Sequence, residues 1–426
     1  MSTERARRVS IISIAILLAL TASACTKGGG ETGQNGASAA GGVKTGPGVT
    51  ATTIKLGALL DLTAVFAANS KSIAEGMRLY WDGRNQSGGV CGRKIEINIQ
   101  DHGYDPQKAV ALYRQSSGNV LAYQAILGSP VISALLPSIQ QDKILAGMAA
   151  WTSQVLPNQY VQITGATYDV DMINGIDFLM REKGLKRGDK IGHIYFEGDY
   201  GENALKGSKY AAAQAGLTVV EQKIKPTDTD LSAQVAALGR AGVKAILLSA
   251  GGPQTTSVAS IAKATGLDVP IVGNAPVFTP QLLRTPAATA LKDNLYVVTA
   301  LAPPSLPAGG VRQFLQAFQA KYPKSVPTQN GSLFGYATSQ ITGAALDQAC
   351  KNKDLTREGL VTALHSLKAY DSHGTVAGPL DYSNPAQPPT RMTYISNVNA
   401  DAPGGLETVG DPSVSPAAKN YQFSGS

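Results

Sequence analysis

The sequence lacks the short motifs that mark the common classes of enzyme. Its 426 residues contain no G-x-S-x-G, no H-E-x-x-H, no Walker A motif and no G-x-G-x-x-G after a predicted strand. Histidine is scarce, and the four histidines lack the spacing of metal ligands: His102, His193, His365 and His373. We therefore expect a protein that is not an enzyme and holds no metal or cofactor, although two carboxylates far apart in the chain would escape this search.

Charge is also limited. Charged residues make up 16% of the chain, and its formal net charge of +7 comes from positive residues that are scattered instead of clustered. This distribution gives no basic stripe for nucleic acid and fits a mildly basic surface that faces anionic lipid or wall polymer. The hydrophobic content of 43% is that of a globular protein, and the length suggests two domains.

The apolar run near the amino terminus, Ile11–Leu20, is shorter than the roughly 20 residues that span a bilayer. Arginines precede it, at Arg5, Arg7 and Arg8, and small residues follow it. This order is typical of a cleaved signal peptide, which we assign to residues 1–24.

Cysteine is rare, and one of the three cysteines directly follows the predicted signal peptide. The segment that ends at Cys25 resembles a lipobox, in which the cysteine is acylated. Ala22 stands where leucine is commoner, so an ordinary secretory signal cleaved nearby is the alternative. The lipidated cysteine and a Gly-, Ser- and Ala-rich flexible tether occupy residues 25–49, and the folded part begins near Thr50. Lipid on Cys25 would hold that part at the outer face of the cell membrane.

Beyond the tether, short apolar runs alternate with amphipathic segments. The run at 53–60 and the alternating residues at 93–102 predict strands, and the segment at 69–89 predicts a helix that stops at a Gly-Gly pair. Asp105 and Pro106 predict the N-cap and the first position of the next helix.

The pattern restarts at Asp189 and continues through further strands, which predicts a second sheet of similar size. Helices follow at about 310–322, 332–350 and 356–368, and the segment at 378–398 alternates like an edge hairpin. The predicted fold class is therefore α/β, with two doubly wound lobes and a ligand cleft between them.

Candidate binding residues lie where the predicted strands end, because ligands of open α/β sheets sit at the carboxyl ends of strands, beside helix amino termini. In the first lobe this places Ser129 after one strand and residues 150–153 after the next. In the second lobe it places Asp199 and Tyr200 at a strand-to-helix turn. Plain helix capping and a structural tyrosine are the alternatives.

The order of these parts resembles that of the type I periplasmic binding proteins, in the branch that contains the leucine/isoleucine/valine-binding receptors of ABC importers. The segments that carry the resemblance most clearly are GGVCGRKIEI at 88–97, DPQKAV at 105–110 and YGENAL at 200–205. The similarity extends over nearly the whole folded part, about residues 53 to 400.

The resemblance implies two lobes joined by three crossovers, near Val161–Gly165, Val297–Ala302 and Leu367–Val376. The implied boundaries are 50–163 for lobe 1, 164–298 for lobe 2, 299–370 for a return to lobe 1, and 371–426 for an edge and tail of lobe 2. Cys91 and Cys350 would then both belong to lobe 1, and they are candidates for a disulfide in an exported protein.

The resemblance also implies roles for single residues. Thr152 corresponds to a threonine that binds both the carboxylate and the ammonium of an amino acid, and the Ala150 carbonyl corresponds to an ammonium acceptor. Ser129 corresponds to a carboxylate-binding serine, unless a one-residue slip puts Pro130 there.

Two aromatic residues and one departure complete the implied site. Phe66 corresponds to an aromatic lid and Tyr200 to the tyrosine that closes over the ligand. Ala275 stands where amino-acid receptors carry a glutamate for the ammonium. Since a cation sealed in a cleft without a carboxylate is costly, either Asp199 substitutes or the ligand is not an α-amino acid. The ligand-binding candidates are Phe66, Ser129, Ala150, Trp151, Thr152, Asp199, Tyr200 and Ala275.

These implications predict an extracytoplasmic solute-binding lipoprotein of an ABC importer. It would close two lobes on a small-molecule ligand, such as a branched-chain amino acid, an amide or an aromatic acid, and present the closed shape to ABC permease subunits. The alternative is a sensor that delivers its closed state to a signalling partner. Neither prediction involves nucleic acid.

Overall fold

The computed structural model describes residues 42–423. The predicted signal peptide, Cys25 and most of the predicted tether therefore lie outside the described residues. Within the described range, no helix is long and apolar enough to cross a membrane.

Five parallel strands form the sheet of lobe 1: β2 (Thr53–Leu60), β3 (Lys94–Asp101), β4 (Ala122–Leu127), β5 (Ala146–Ala149) and β6 (Val161–Ile163), preceded by the short strand β1 (Lys44–Thr45). They lie in the order β3-β2-β4-β5-β6. The helices are α1 (Ala67–Gln86), α2 (Pro106–Ser116) and α3 (Ser129–Asp142). As predicted, Asp105 caps α2, and its carboxylate accepts hydrogen bonds from the N–H groups of Gln107 and Lys108.

The chain then enters lobe 2. Its parallel strands are β7 (Lys190–Phe196), β8 (Thr218–Ile224), β9 (Ala245–Ser249), β10 (Ile271–Asn274) and β11 (Leu295–Thr299). Its helices are α4 (Tyr168–Glu182), α5 (Asp199–Ala215), α6 (Ser232–Ala241), α7 (Gly252–Ala264) and α8 (Ala288–Asn294). Helix α5 ends at Gly216 in the left-handed conformation, where the sequence predicts its end.

The last part of the chain returns to lobe 1 and then to lobe 2. The returning elements are α9 (Gly309–Lys321), a π-helical turn (Gln329–Leu333), α10 (Phe334–Lys351), β12 (Asp354–Leu355) and α11 (Arg357–His365). Lobe 2 is completed by β13 (Tyr394–Val398), β14 (Leu406–Thr408) and α12 (Pro416–Asn420). The seven-stranded order is β14-β13-β11-β10-β9-β7-β8, with β13 antiparallel to both neighbours. The predicted α/β class, with two sheets, is confirmed.

The chain passes between the lobes three times, and the crossing segments lie side by side. Leu301 and Val376 form an antiparallel bridge, and the Ala377 N–H donates to the Ala300 carbonyl at 2.8 Å. Gly165 has a φ of +99°, and a Cβ there would lie 2.5 Å from the Ala300 Cβ. The crossings therefore lie near the predicted positions and form one narrow hinge, about which the lobes can rotate. The exact domain boundaries stay a prediction.

Helix α1 packs backbone to backbone against the π-helical turn and α10. A Cβ on Gly76 would lie 1.9 Å from the Ser332 carbonyl oxygen, and one on Gly335 would lie 2.2 Å from the Ile73 carbonyl oxygen. Only glycine permits this approach. The contact fixes α1 relative to the turn, and both contribute side chains to the cavity described below.

The predicted tether ends earlier than the sequence suggests, because residues 43–49 belong to the fold. Strand β1 pairs in parallel with β12, and the Lys55 N–H donates to the Gly48 carbonyl at 2.8 Å. A Cβ on Gly48 would lie 2.4 Å from the Leu121 nitrogen. The glycines of this segment let its backbone pack closely against its neighbours instead of making it flexible. The fold therefore begins several residues before Thr50, where the sequence predicted its start.

A disulfide joins Cys91 and Cys350, whose Cα atoms are 5.9 Å apart. Cys91 precedes β3, and Cys350 lies near the end of α10. The bond therefore ties the late helix of lobe 1 to the early turn that leads into its edge strand.

Candidate functional site

A small cavity lies where the strands of both lobes end. Lobe 1 contributes Phe66, Asn69, Ile73, Tyr104, Leu127, Gly128, Ser129, Ala149, Trp151 and Asn330, and lobe 2 contributes Tyr168, Tyr200 and Pro276. Several of these residues follow the carboxyl ends of β4, β5, β7 and β10, which is where open α/β sheets bind ligands.

Ser129 brings a buried hydroxyl to the cavity. It is the first residue of α3, and its Oγ makes no hydrogen bond of good geometry within residues 42–423, although the Tyr168 side chain lies close enough to interact with it. Gly128 turns the chain into the helix with a φ of +101°, and a Cβ there would lie 2.6 Å from the Tyr104 ring. No side chain in the described range caps α3. The hydroxyl and the N–H groups of Ser129 and Val131 therefore face the start of the helix, while Pro130 between them has no N–H to offer.

Aromatic rings from both lobes form much of the wall. The ring of Trp151 in lobe 1 lies 5.9 Å from that of Tyr168 in lobe 2, and Tyr168 lies 4.4 Å from Tyr200. Phe66 of lobe 1 reaches Phe196 of lobe 2 with 6.4 Å between ring centres. Burial raises the pKa of Tyr168 and of Tyr200 well above the ordinary value, so both hydroxyls stay neutral at physiological pH.

Asp61 holds the loop that presents Phe66. This carboxylate is fully buried and accepts hydrogen bonds from the backbone N–H groups of Thr63 at 3.2 Å, Ala64 at 2.6 Å and Phe66 at 2.8 Å. Aspartate directly after a strand is a signal for such a turn. Asp61 is not among the predicted site residues, although the sequence contains this signal.

The cavity wall carries no full charge. No Asp, Glu, Lys, Arg or His of the described residues lines the cavity. The described residues also contain no group of three or more His, Cys, Asp or Glu side chains that could hold a metal ion. Asp171 of α4 lies near both wall tyrosines, Tyr168 and Tyr200. Burial raises the pKa of Asp171 well above its ordinary value and so favours the neutral carboxyl, although the Asn274 amide opposes the shift. A cation in the cavity would therefore meet no compensating carboxylate.

Residues 53–403 match the model of the periplasmic binding protein family. The chain belongs to this family. A solved structure, the fatty acid ABC transporter substrate-binding protein from Thermomonospora curvata, is 49% identical to it, with a TM-score of 0.88 over 91% of this chain and 99% of that one. The Leu/Ile/Val-binding protein homolog 8 of Brucella abortus is 26% identical over 76% of this chain and 83% of its own length.

Similarity in fold extends to more distant structures. A branched chain amino acid ABC transporter protein from Thermus thermophilus, solved with bound valine, is 17% identical and superposes with a TM-score of 0.76, covering 88% of this chain and 98% of that one. The resemblance to the type I, leucine/isoleucine/valine-binding branch is thereby confirmed. The matched relatives are substrate-binding proteins of ABC transporters, which confirms that this periplasmic binding protein is not an enzyme.

The cavity of this periplasmic binding protein brings together four of the eight predicted binding residues. Phe66, Ser129, Trp151 and Tyr200 line it. Four others lie outside the lining: Ala150, Thr152, Asp199 and Ala275. Position in the wall does not by itself demonstrate contact with a ligand, so the binding roles of all eight stay predictions.

The residues outside the lining have other contacts. The Thr152 hydroxyl accepts a hydrogen bond from the Gln154 N–H at 3.3 Å and so caps a short 3-10 helix, which is the capping alternative weighed from the sequence. The Ala275 carbonyl accepts a hydrogen bond from Asn330 Nδ2 at 2.8 Å. Asp199 is the first residue of α5 and is partly exposed.

Sequence reasoning missed several wall residues, among them Tyr104, Tyr168 and Asn330. Tyr168 begins α4 just after the first crossover, so a search of helix starts on both sides of the hinge would have found it. Asn330 gives no such signal, because it lies in a π-helical turn that no periodicity predicts.

Proposed function

We propose that this periplasmic binding protein is the substrate-binding lipoprotein of an ABC importer and that its ligand is a small carboxylic acid without an ammonium group. The observation that carries this proposal is the cavity wall, which combines aromatic and aliphatic side chains with no charged group. The lobes would close on the acid and present the closed shape to the permease subunits.

The carboxylate of the ligand would bind at the start of α3. The donors would be the Ser129 hydroxyl and the N–H groups of Ser129 and Val131, and the positive end of the helix dipole favours an anion there. This arrangement stabilises a carboxylate without a lysine or arginine.

The apolar body of the ligand would pack on the aromatic wall. Tyr168 and Tyr200 from lobe 2 and Phe66 and Trp151 from lobe 1 would enclose it, with Ile73 and Leu127 beside them. Burial of such a body supplies most of the binding free energy of an amphipathic ligand.

The comparisons support an acid over an amino acid. The Thermomonospora curvata protein, which is 49% identical, is named for fatty acids. The relatives named for leucine, isoleucine and valine are more distant, at 27% identity or less. We therefore favour a fatty acid or a related carboxylic acid over the branched-chain amino acid that the resemblance suggests.

Calorimetry on the purified protein tests the binding site. We expect octanoate or a related acid to bind, and we expect Ser129→Ala to weaken its binding by about tenfold or more, because a hydrogen bond to a charged group is lost. Ser70→Ala is a matched control, since Ser70 is equally buried and unpartnered but lies outside the cavity wall. Equal affinities of wild type and Ser129→Ala would contradict the proposed carboxylate site.

Thr152→Ala, measured in the same titration, decides the role that the sequence assigns to Thr152. A loss comparable to that of Ser129→Ala would mean that the ligand contacts the loop after β5 as well as the start of α3. An unchanged affinity would leave Thr152 with its capping role alone.

The anchor is a separate part of the proposal. Lipid on Cys25 would hold the protein at the outer face of the cell membrane, and the tether would let the folded part reach the permease. Mass spectrometry of the mature amino terminus should find an acylated Cys25, and Cys25→Ser should move the protein from the membrane fraction to the soluble fraction. An unacylated terminus in the wild-type protein would refute the anchor.

A further inference from the structure

Asn330 is a polar wall residue that connects the two lobes. It lies in the π-helical turn of lobe 1, and its side chain is 5% exposed. Its Nδ2 donates a hydrogen bond across the cleft to the Ala275 carbonyl oxygen in lobe 2, at 2.8 Å. This contact orients the amide, since only the nitrogen can donate to a carbonyl.

The turn that carries Asn330 is held rigidly. Gln329 Nε2 donates to the Leu301 carbonyl at 2.7 Å, which ties the turn to the second crossover. Thr328 Oγ1 accepts from the Ser332 N–H at 3.1 Å and closes the turn on itself. A Cβ on Gly331 would lie 2.4 Å from the Ser72 Cβ in α1. The position of Asn330 is therefore fixed by the fold on both sides.

The contact occupies an acceptor beside the cavity. Ala275 stands where the resemblance places the ammonium-binding glutamate of amino-acid receptors, and its carbonyl already accepts from Asn330. An ammonium group near this point would share that carbonyl with the amide and would find no carboxylate among the described wall residues. Both effects raise the cost of burying an ammonium ion.

We propose that Asn330 is a specificity-determining residue that excludes α-amino acids from the cavity in favour of the corresponding acids without an ammonium group. This inference rests on the proposed function and names the residue that enforces it. The amide oxygen of Asn330 accepts no hydrogen bond from another residue of the described chain. It is a neutral acceptor, which is too weak to compensate a buried cation.

The test exchanges the amide for a carboxylate of the same shape. Asn330→Asp loses the donor to Ala275, frees that carbonyl and adds a negative charge beside the cavity. The probes are 4-methylpentanoate and leucine, which differ only in the α-ammonium group. We expect the wild-type protein to prefer 4-methylpentanoate, and we expect Asn330→Asp to bind leucine at least about tenfold more tightly, and 4-methylpentanoate about tenfold less tightly, than wild type.

Two further variants test whether a gain of leucine binding requires both the loss of the contact with Ala275 and a carboxylate at position 330. Asn330→Ala loses the contact between the lobes without adding charge, so it should weaken 4-methylpentanoate binding and gain no affinity for leucine. Asn69→Asp adds a carboxylate to the same wall but leaves the contact between Asn330 and Ala275 in place, so it should not gain leucine binding either. Thermal unfolding of each variant shows whether it is folded.

The outcomes distinguish this inference from the proposed function. A wild-type protein that prefers the acid, together with an Asn330→Asp variant of unchanged preference, overturns the role of Asn330 alone. A gain of leucine binding in Asn69→Asp equal to that in Asn330→Asp also overturns it. A wild-type protein that binds leucine as tightly as 4-methylpentanoate, or that binds neither of them and no octanoate, refutes both.

Discussion

At the scale of single residues, lobe 2 contains a buried chain of polar groups below its wall residues. His193 Nε2 lies 3.1 Å from Ser249 Oγ, and Ser249 donates to Asn274 Oδ1 at 2.7 Å. Asn274 Nδ2 in turn donates to Asp171 Oδ2 at 3.1 Å. Burial raises the pKa of Asp171 and lowers that of His193, so it favours the neutral form of both groups at the ends of this hydrogen-bonded network.

His193 makes the stability of this lobe depend on pH. Burial, with a smaller contribution from Lys209, lowers the pKa of His193 from 6.5 to about 3. As the pH falls, His193 therefore binds a proton in the unfolded chain at a much higher pH than in the folded chain. The stability that neutral His193 contributes is present above about pH 6.5 and is lost as the pH falls toward 3.

Urea unfolding at two pH values measures this effect. We expect the free energy of unfolding of the wild type, relative to that of His193→Gln, to fall by roughly 2 kcal/mol between about pH 7 and about pH 5. The comparison with the variant is needed because Asp171 has a raised pKa and acts in the opposite direction as the pH falls. A difference between the two proteins that does not change with pH would contradict a buried neutral His193.

At the scale of secondary-structure elements, the sequence predicts those helices and strands whose ends are determined by residues at or next to the ends. Asp105 and Pro106 define the start of α2, and Gly216 ends α5 in the left-handed conformation. Alternating apolar residues likewise predict β3. These signals act through the backbone of the segment itself, so no knowledge of the rest of the fold is needed.

Other elements depend on partners that are distant in sequence. Strand β1 forms only because β12, some 300 residues later, offers it a partner, and the sequence around it reads as a flexible tether. The π-helical turn depends on glycine contacts with α1. The sequence supplies the types of residue that form the cavity, but the contact between Asn330 and Ala275 exists only once both lobes are assembled.

At the scale of the whole molecule, contacts between the lobes lie at both the start of α4 and the π-helical turn. The Ser153 hydroxyl of lobe 1 donates to Asp169 Oδ2 of lobe 2 at 2.5 Å, and Asn203 Nδ2 of lobe 2 donates to Ser153 Oγ at 2.8 Å. All three side chains are buried. Together with the contact from Asn330, these hydrogen bonds stabilise the arrangement in which the cavity is enclosed.

A ligand can contact both lobes at once only when the cavity is enclosed, because the residues of the cavity wall come from both lobes. A ligand that binds one lobe alone has no differential affinity for the two arrangements and shifts nothing. The account therefore requires that the acid contacts lobe 1 at Ser129 and lobe 2 at Tyr168 and Tyr200 at the same time.

Small-angle X-ray scattering of the purified protein, with and without saturating octanoate, tests this requirement most directly. We predict that octanoate lowers the radius of gyration and brings the scattering curve onto that calculated from the structure of residues 42–423, while leucine leaves the curve unchanged. A radius of gyration that octanoate does not alter, or that leucine lowers equally, would contradict closure on an uncharged site for a carboxylic acid.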